Sequence, residues 1–203
     1  KIVILSSNDY SNLGHQWSKA LRSIGAECDD YVMQRHTMYL EQSNPATIAR
    51  MVDAAKEAEV IIVMHSSDQI YNEIKHLDRK IVIAHTGTRY RENHETLNKV
   101  FAGRTTLSDQ TEFMSLGNHK YVVAPVELEP APFYRGSLKS IGHYPSNAFV
   151  KGTEKIIQML QEFNGKFQWR YSNDLVSNEQ QLERMSKCDI YVELFQPVLR
   201  GKP

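Results

Sequence analysis

Along this chain, short apolar runs alternate with longer segments in which apolar residues recur every three or four positions. Runs at residues 2–5, 60–64, 81–84, 121–124, 138–141 and 190–192 show little polar alternation. That pattern predicts strands covered on both faces. A further strand is expected at 167–171, where Phe167 and Trp169 alternate as core aromatics. Helices are expected at 13–24, 46–58, 68–75, 108–116, 153–163 and 178–187. In the first of these, Leu13, Trp17, Ala20, Leu21 and Ile24 form one apolar stripe. Asn12 and Asp109 are candidate amino-terminal caps. Strands alternating with helices predict parallel βαβ units, hence an α/β fold of the doubly wound, Rossmann-like kind.

The alternation is interrupted at 125–136 (PVELEPAPFYRG), which holds three of the seven prolines and has no helical period. Its carboxylates Glu127 and Glu129 are expected to be solvated linker charges. The expected organisation is an amino-terminal domain at 1–125, a linker at 126–136 and a second domain beginning at 137. Three strands of that second domain precede Pro203, about half of a doubly wound sheet. A longer chain is therefore expected, or else a partner that covers the exposed edge.

Composition changes the picture little. Lys plus Arg and Asp plus Glu number 24 each, so no bulk field favours nucleic acid or an acidic membrane. Any anionic ligand has to be held by local groups. Cys28 and Cys188 match no disulfide or metal spacing and suit a reducing cytoplasm. No run approaches the roughly 20 apolar residues of a membrane span, which leaves only peripheral membrane contact open.

Three segments at strand ends are candidates for chemistry. SSNDYSNLGHQ follows the first strand, where a doubly wound sheet has its ligand crevice. Gly14 there allows close backbone approach, but no GxGxxG supports a dinucleotide site. AHTGTRYR follows the strand at 81–84 and gathers His85, Thr86, Thr88 and Arg91 on one strand-to-helix turn. An earlier strand also ends in histidine, at His65-Ser66-Ser67. The third segment, HYPSNAFVKGT, brings Ser146, Asn147, Lys151 and Gly152 to a helix start that suits phosphate. A capped helix start is the alternative reading for the first and third segments. A satisfied structural residue is the alternative for each strand-end histidine. No nucleophile elbow GxSxG occurs, and His94 and His119 lack partners at metal-ligand spacing.

Four of these features together resemble one family. His143-Tyr144-Pro145-Ser146-Asn147 followed by Lys151-Gly152-Thr153 resembles the start of the donor domain in family 4-type glycosyltransferases of the GT-B fold. AHTGTRYR is similar to that family's histidine-containing turn, YVVAPVEL to its hinge, and MSKCDIYVEL to the run before its nucleotide-binding turn. The resemblance implies two Rossmann-like domains facing across a cleft, the second incomplete in this chain. It implies metal-independent transfer of a sugar, with retention, from a UDP- or GDP-sugar, with no cofactor beyond that co-substrate. The acceptor would be a glycan, a lipid-linked or a small molecule, as in polysaccharide biosynthesis.

By the same resemblance, His85 and Lys151 are the catalytic candidates. The donor diphosphate falls to His143, Ser146, Asn147, Lys151, Gly152 and Gly14, and acceptor-side contacts fall to Asn12, His15, Thr88 and Arg91. His143 stands where many members have arginine, which reduces the fixed positive charge. The family's two glutamates spaced eight apart are expected beyond Pro203, so these 203 residues alone are not expected to turn over substrate. Two other readings compete. One is a sugar-nucleotide epimerase of the same fold, which needs cleft carboxylates; the other is a non-catalytic sugar-nucleotide-binding protein.

Overall fold

The computed structural model describes residues 1–9, 11–125, 139–163 and 165–193. It divides into two compact units, Lys1–His36 with Glu41–Leu128, and Thr37–Leu40 with Glu129–Pro203. The expected linker carboxylates Glu127 and Glu129 lie outside the described residues.

In the first unit the elements run β1 (Ile2–Asn8), α1 (Leu13–Ser23), β2 (Cys28–Gln34), β3 (Asn44–Pro45), α2 (Ile48–Glu57), β4 (Val60–Val63) and α3 (Asp68–Ile74). They continue with β5 (Lys80–Ala84), α4 (Gly87–Val100), β6 (Thr105–Ser108), a 3₁₀ turn (Thr111–Ser115) and β7 (Lys120–Tyr121). The strands form a seven-stranded sheet in the order β3-β2-β1-β4-β5-β6-β7, every described pairing parallel. This is a Rossmann-like α/β unit.

At the central strands β1, β4 and β5 both faces of the sheet are buried, successive residues pointing to opposite sides. Val3 and Leu5 of β1 join Ile61, Val63, Ile81 and Ile83 beneath Met51, Ala55, Ile70, Ile74, Tyr90 and Leu97 of α2, α3 and α4. Ile4 faces the other way with Ile62, Met64, Val82 and Ala84, under Leu13 and Trp17 of α1. The uninterrupted apolar runs of β1, β4 and β5 follow from this double coverage.

Elements missing from the sequence reading are those whose burial is polar or slight. The acids of β2 (CDDYVMQ) disguise a strand; its buried Asp30 is matched by His15 Nδ1 at 2.8 Å and by the Arg22 guanidinium of α1. Helix α4 buries only Tyr90 and Leu97. The helix expected at 108–116 is corrected: Ser108 ends β6 and only a short 3₁₀ turn follows. Asp109 is not its cap, because the turn begins after Gln110 and has no side-chain cap.

The second unit contains β8 (Ser140–His143), α5 (Thr153–Gln161), β9 (Gln168–Tyr171), α6 (Asn178–Ser186) and β10 (Ile190–Tyr191). Its described strands form a three-stranded parallel sheet, β10-β8-β9. Strand β8 reaches beyond the apolar run because its polar end, His143, is satisfied inside the fold. Asp189 ties β10 to β8 by accepting from the Lys139 and Ser140 amides at 2.9 and 2.8 Å. Phe167 and Trp169, expected in a core, are half-buried. Among the described residues, no helix is long and apolar enough to cross a membrane.

Gly142 sits at the centre of this sheet, where a Cβ would lie 2.4 Å from Cys188 Sγ. Gly142→Ala is expected to destabilise the second unit by about 1–3 kcal/mol, as overpacking does. Adding Cys188→Ala should restore part of the loss. Urea unfolding followed through Trp169 checks this, with equal stability of Gly142→Ala and wild type as the contrary result.

Candidate functional site

In the first unit the chain runs from β1 outward to β2 and β3, then returns to β4 on the other side of β1. Such a reversal opens a crevice beyond the carboxyl ends of the strands. A cavity of about 700 Å³ lies there. Its walls include Asn8 at the end of β1, His65 after β4, Thr86 after β5, and Asp109 and Gln110 after β6.

The groups around it are organised by Asp9, which is 5% exposed. One carboxylate oxygen, Oδ2, accepts from the Gly14 amide at 2.9 Å and the His15 amide at 3.3 Å. These are orphan donors of the first turn of α1. The helix is therefore capped by Asp9 and not by Asn12, which takes a left-handed conformation and makes no side-chain cap. Asn12 instead donates through Nδ2 to the Glu41 carbonyl at 2.9 Å.

The other oxygen, Asp9 Oδ1, lies 2.7 Å from His65 Nε2. Because a carboxylate only accepts, Nε2 carries a proton, and the tautomer with that single proton has its lone pair at Nδ1. That nitrogen faces Thr86 Oγ1 within hydrogen-bonding distance. In that tautomer the hydroxyl hydrogen of Thr86 is directed at His65, and its oxygen lone pairs remain for the cavity. Thr86 occupies the N-cap position of α4 in an extended conformation yet makes no side-chain cap. Forgoing such a cap costs about 1 kcal/mol.

Backbone strain accompanies this arrangement. His65 and Ser66 are consecutive non-glycine residues at φ 55 and 54. Each left-handed residue costs roughly 1–2 kcal/mol, and such outliers concentrate at functional sites. The strained pair points His65 along the cavity and lets Ser66 Oγ meet His85 Nδ1 at 2.8 Å.

The expected role of His85 has to be corrected. His85 is 0% exposed, stacked on Tyr90 with ring centroids 4.0 Å apart, and does not line the cavity. Burial, with His119 nearby, pushes its ring down to about 3 from the ordinary 6.5. The histidine that meets the cavity is His65. A similar displacement affects the arginines. Arg91 pairs with Glu112, lies 5.5 Å over the Phe113 ring and does not line the cavity. Arg89, which does line it, pairs with Asp68. Thr88 is exposed on the cavity wall.

His15 is held to Asp30, as part of the α1–β2 contact. Gly14 is explained by packing: a Cβ there would lie 3.0 Å from Ser6 Oγ and 3.1 Å from Asp9 Oδ2. Its smallness lets the helix start sit on the carboxylate. Asp109 Oδ1 is buried without a hydrogen-bond partner among the described residues, and burial raises its carboxyl above the usual range.

In the second unit, His143 also departs from expectation. It is 0% exposed, with Nδ1 2.7 Å from the Val192 carbonyl and Nε2 2.8 Å from Thr153 Oγ1. The carbonyl requires a proton on Nδ1, so Nε2 accepts from the threonine hydroxyl. Both nitrogens are committed to joining β8, β10 and α5, and neither is left for a diphosphate. Asn147 is likewise occupied: its Oδ1 accepts from the Val150 amide at 3.1 Å, closing the turn before α5.

Lys151 and Ser146 do share a cavity, of about 340 Å³, with Tyr144, Tyr191 and Glu193. The Lys151 side chain is 24% exposed and paired with Glu193. Burial pushes the Glu193 carboxyl up, but the hydrogen bond and charge of Lys151 bring it below its ordinary value. Gly152 is the N-cap of α5 at φ 67 and leaves that helix start without a side-chain cap. No group of three or more His, Cys, Asp or Glu placed to hold a metal occurs among the described residues.

The chain matches no family model, and no curated protein matches it.

His85 yields a pH prediction. The folded ring stays neutral while the unfolded ring takes a proton below 6.5. Its contribution to stability is therefore present above 6.5 and is lost as pH falls towards about 3. Denaturation across that window should show a shallower pH slope in His85→Leu than in wild type. An unchanged slope would contradict the assignment.

Proposed function

We propose that this protein is a nucleotide-sugar-dependent glycosyltransferase whose second unit holds the donor diphosphate. The observation that carries the reading is Lys151: a half-buried ammonium at the turn into α5, on the same cavity wall as Ser146. A cation beside an uncapped helix start is suited to two phosphates, since the first-turn amides and the helix dipole add to its charge. The ordered resemblance of the HYPSN–KGT segment, the hinge and the DIYVEL run to family 4-type enzymes supports the same reading.

On this reading the chemistry is electrostatic. As the glycosidic bond breaks, negative charge grows on the diphosphate, and Lys151 with the α5 terminus stabilises it. The departing phosphate takes the acceptor's proton on the same face, which retains configuration. Glycans, lipid-linked molecules and small hydroxylated molecules all fit as acceptors. Glu193 acts as the counter-ion that occupies Lys151 until a diphosphate displaces it.

This counter-ion role makes the proposal testable with UDP and GDP as probes in calorimetry of the full chain. Lys151→Ala should weaken the preferred nucleotide at least tenfold, whereas Glu193→Gln should tighten it several-fold by releasing the lysine. Binding unaffected by both changes, or no binding of either nucleotide, would refute the donor assignment.

A further inference from the structure

We propose that Thr86, activated by His65 and Asp9, is a nucleophilic hydroxyl that cleaves a neutral, short-chain acyl ester bound in the first-unit cavity. This activity is separate from sugar transfer and depends on none of the second-unit residues assigned to the donor. Its basis is the chain of contacts Thr86 Oγ1, His65 Nδ1, His65 Nε2, Asp9 Oδ1, in which a neutral imidazole directs every proton towards the carboxylate. A structural threonine at an N-cap would turn its oxygen back onto its own helix. Thr86 does not, and the first turn of α4 is left without a side-chain cap beside the hydroxyl.

The arrangement provides the three components of acyl transfer. Thr86 Oγ1 attacks the ester carbonyl carbon while its proton passes to His65 Nδ1. The carbonyl electron pair moves onto oxygen, where the α4 amides can receive it. Collapse breaks the bond to the alkoxy oxygen, which leaves as an alcohol with the proton from Nδ1. Water then attacks the acyl-threonine, giving a proton to Nδ1, and that proton returns to Oγ1 as the carboxylic acid departs. Asp9 stabilises the transient imidazolium and keeps capping α1 through its second oxygen.

The lining selects the substrate class. Asp9, behind His65, places a carboxylate near the reacting atoms, and the charge of Arg89, the arginine on the cavity wall, is met by Asp68. Phosphorylated or carboxylated esters are therefore disfavoured. Ser11, Thr88 and Gln110 supply hydrogen-bonding walls, with Leu13 as the apolar contact. That favours a small acyl group carried on a hydroxylated molecule over a long-chain lipid ester.

A fluorophosphonate probe and p-nitrophenyl acetate test this on the full chain. Wild type should form an adduct that peptide mass spectrometry places on Thr86, and should hydrolyse the acetate. Thr86→Val should lose the adduct and lower hydrolysis at least tenfold with an unchanged melting temperature, while Thr86→Ser should retain both reactions. His65→Gln should slow labelling at least tenfold. Should Thr86→Val prove unfolded, the wild-type and Thr86→Ser labelling sites decide alone. An unlabelled Thr86 in wild type, or equal hydrolysis by a folded Thr86→Val, would overturn the proposal.

Discussion

The buried carboxylate of Asp9 is the constraint on which the first unit's crevice depends. A nearly inaccessible charge is tolerable only if hydrogen bonds satisfy it, and Asp9 meets that condition by drawing three elements together. The amides of α1 converge on one oxygen and the His65 ring on the other. Gly14 has to lack a side chain for the helix to sit that close. His65 has to adopt a left-handed backbone for its ring to reach back across the strand ends. The free energy of satisfying the carboxylate thus offsets the strain at His65 and Ser66 and fixes which ring nitrogen meets Thr86.

The second unit settles a similar problem with a different outcome. His143 is also a strand-end imidazole, but its partners are a carbonyl and a hydroxyl that lie inside the fold. Its ring orders the joint between β8, β10 and α5 and leaves the cavity to Lys151. The contrast shows why a strand-end histidine carries no function by itself. What matters is whether its hydrogen bonds lead to a solvent-facing atom, as at His65, or close on the interior, as at His85 and His143.

The α/β character and the main buried strands were legible from residue pattern because β1, β4 and β5 are covered on both faces and carry no polar interruption. Strand β2 was not legible, since its Asp30 is compensated by Arg22 and His15 from a different element. Helix α4 was hidden by a surface almost entirely polar. Around the first-unit cavity, the residues the sequence singled out differ from those that line or organise it: His85 where His65 meets the cavity, Arg91 where Arg89 does, and Asn12 where Asp9 caps α1. Each substitution reflects side-chain direction, which spacing along one segment does not reveal. The Asp9–His65–Thr86 chain was invisible for a further reason, because it joins residues 56 and 21 positions apart. The only local hint was that two strands end in histidine.

The protonation pattern of His65 tests the account most directly. Nitrogen-15 NMR of the imidazole in the wild-type chain at neutral pH should show the proton on Nε2 and a hydrogen-bonded lone pair on Nδ1. A proton on Nδ1 would reverse the hydrogen bond to Thr86 and contradict the arrangement on which the proposed acyl transfer rests.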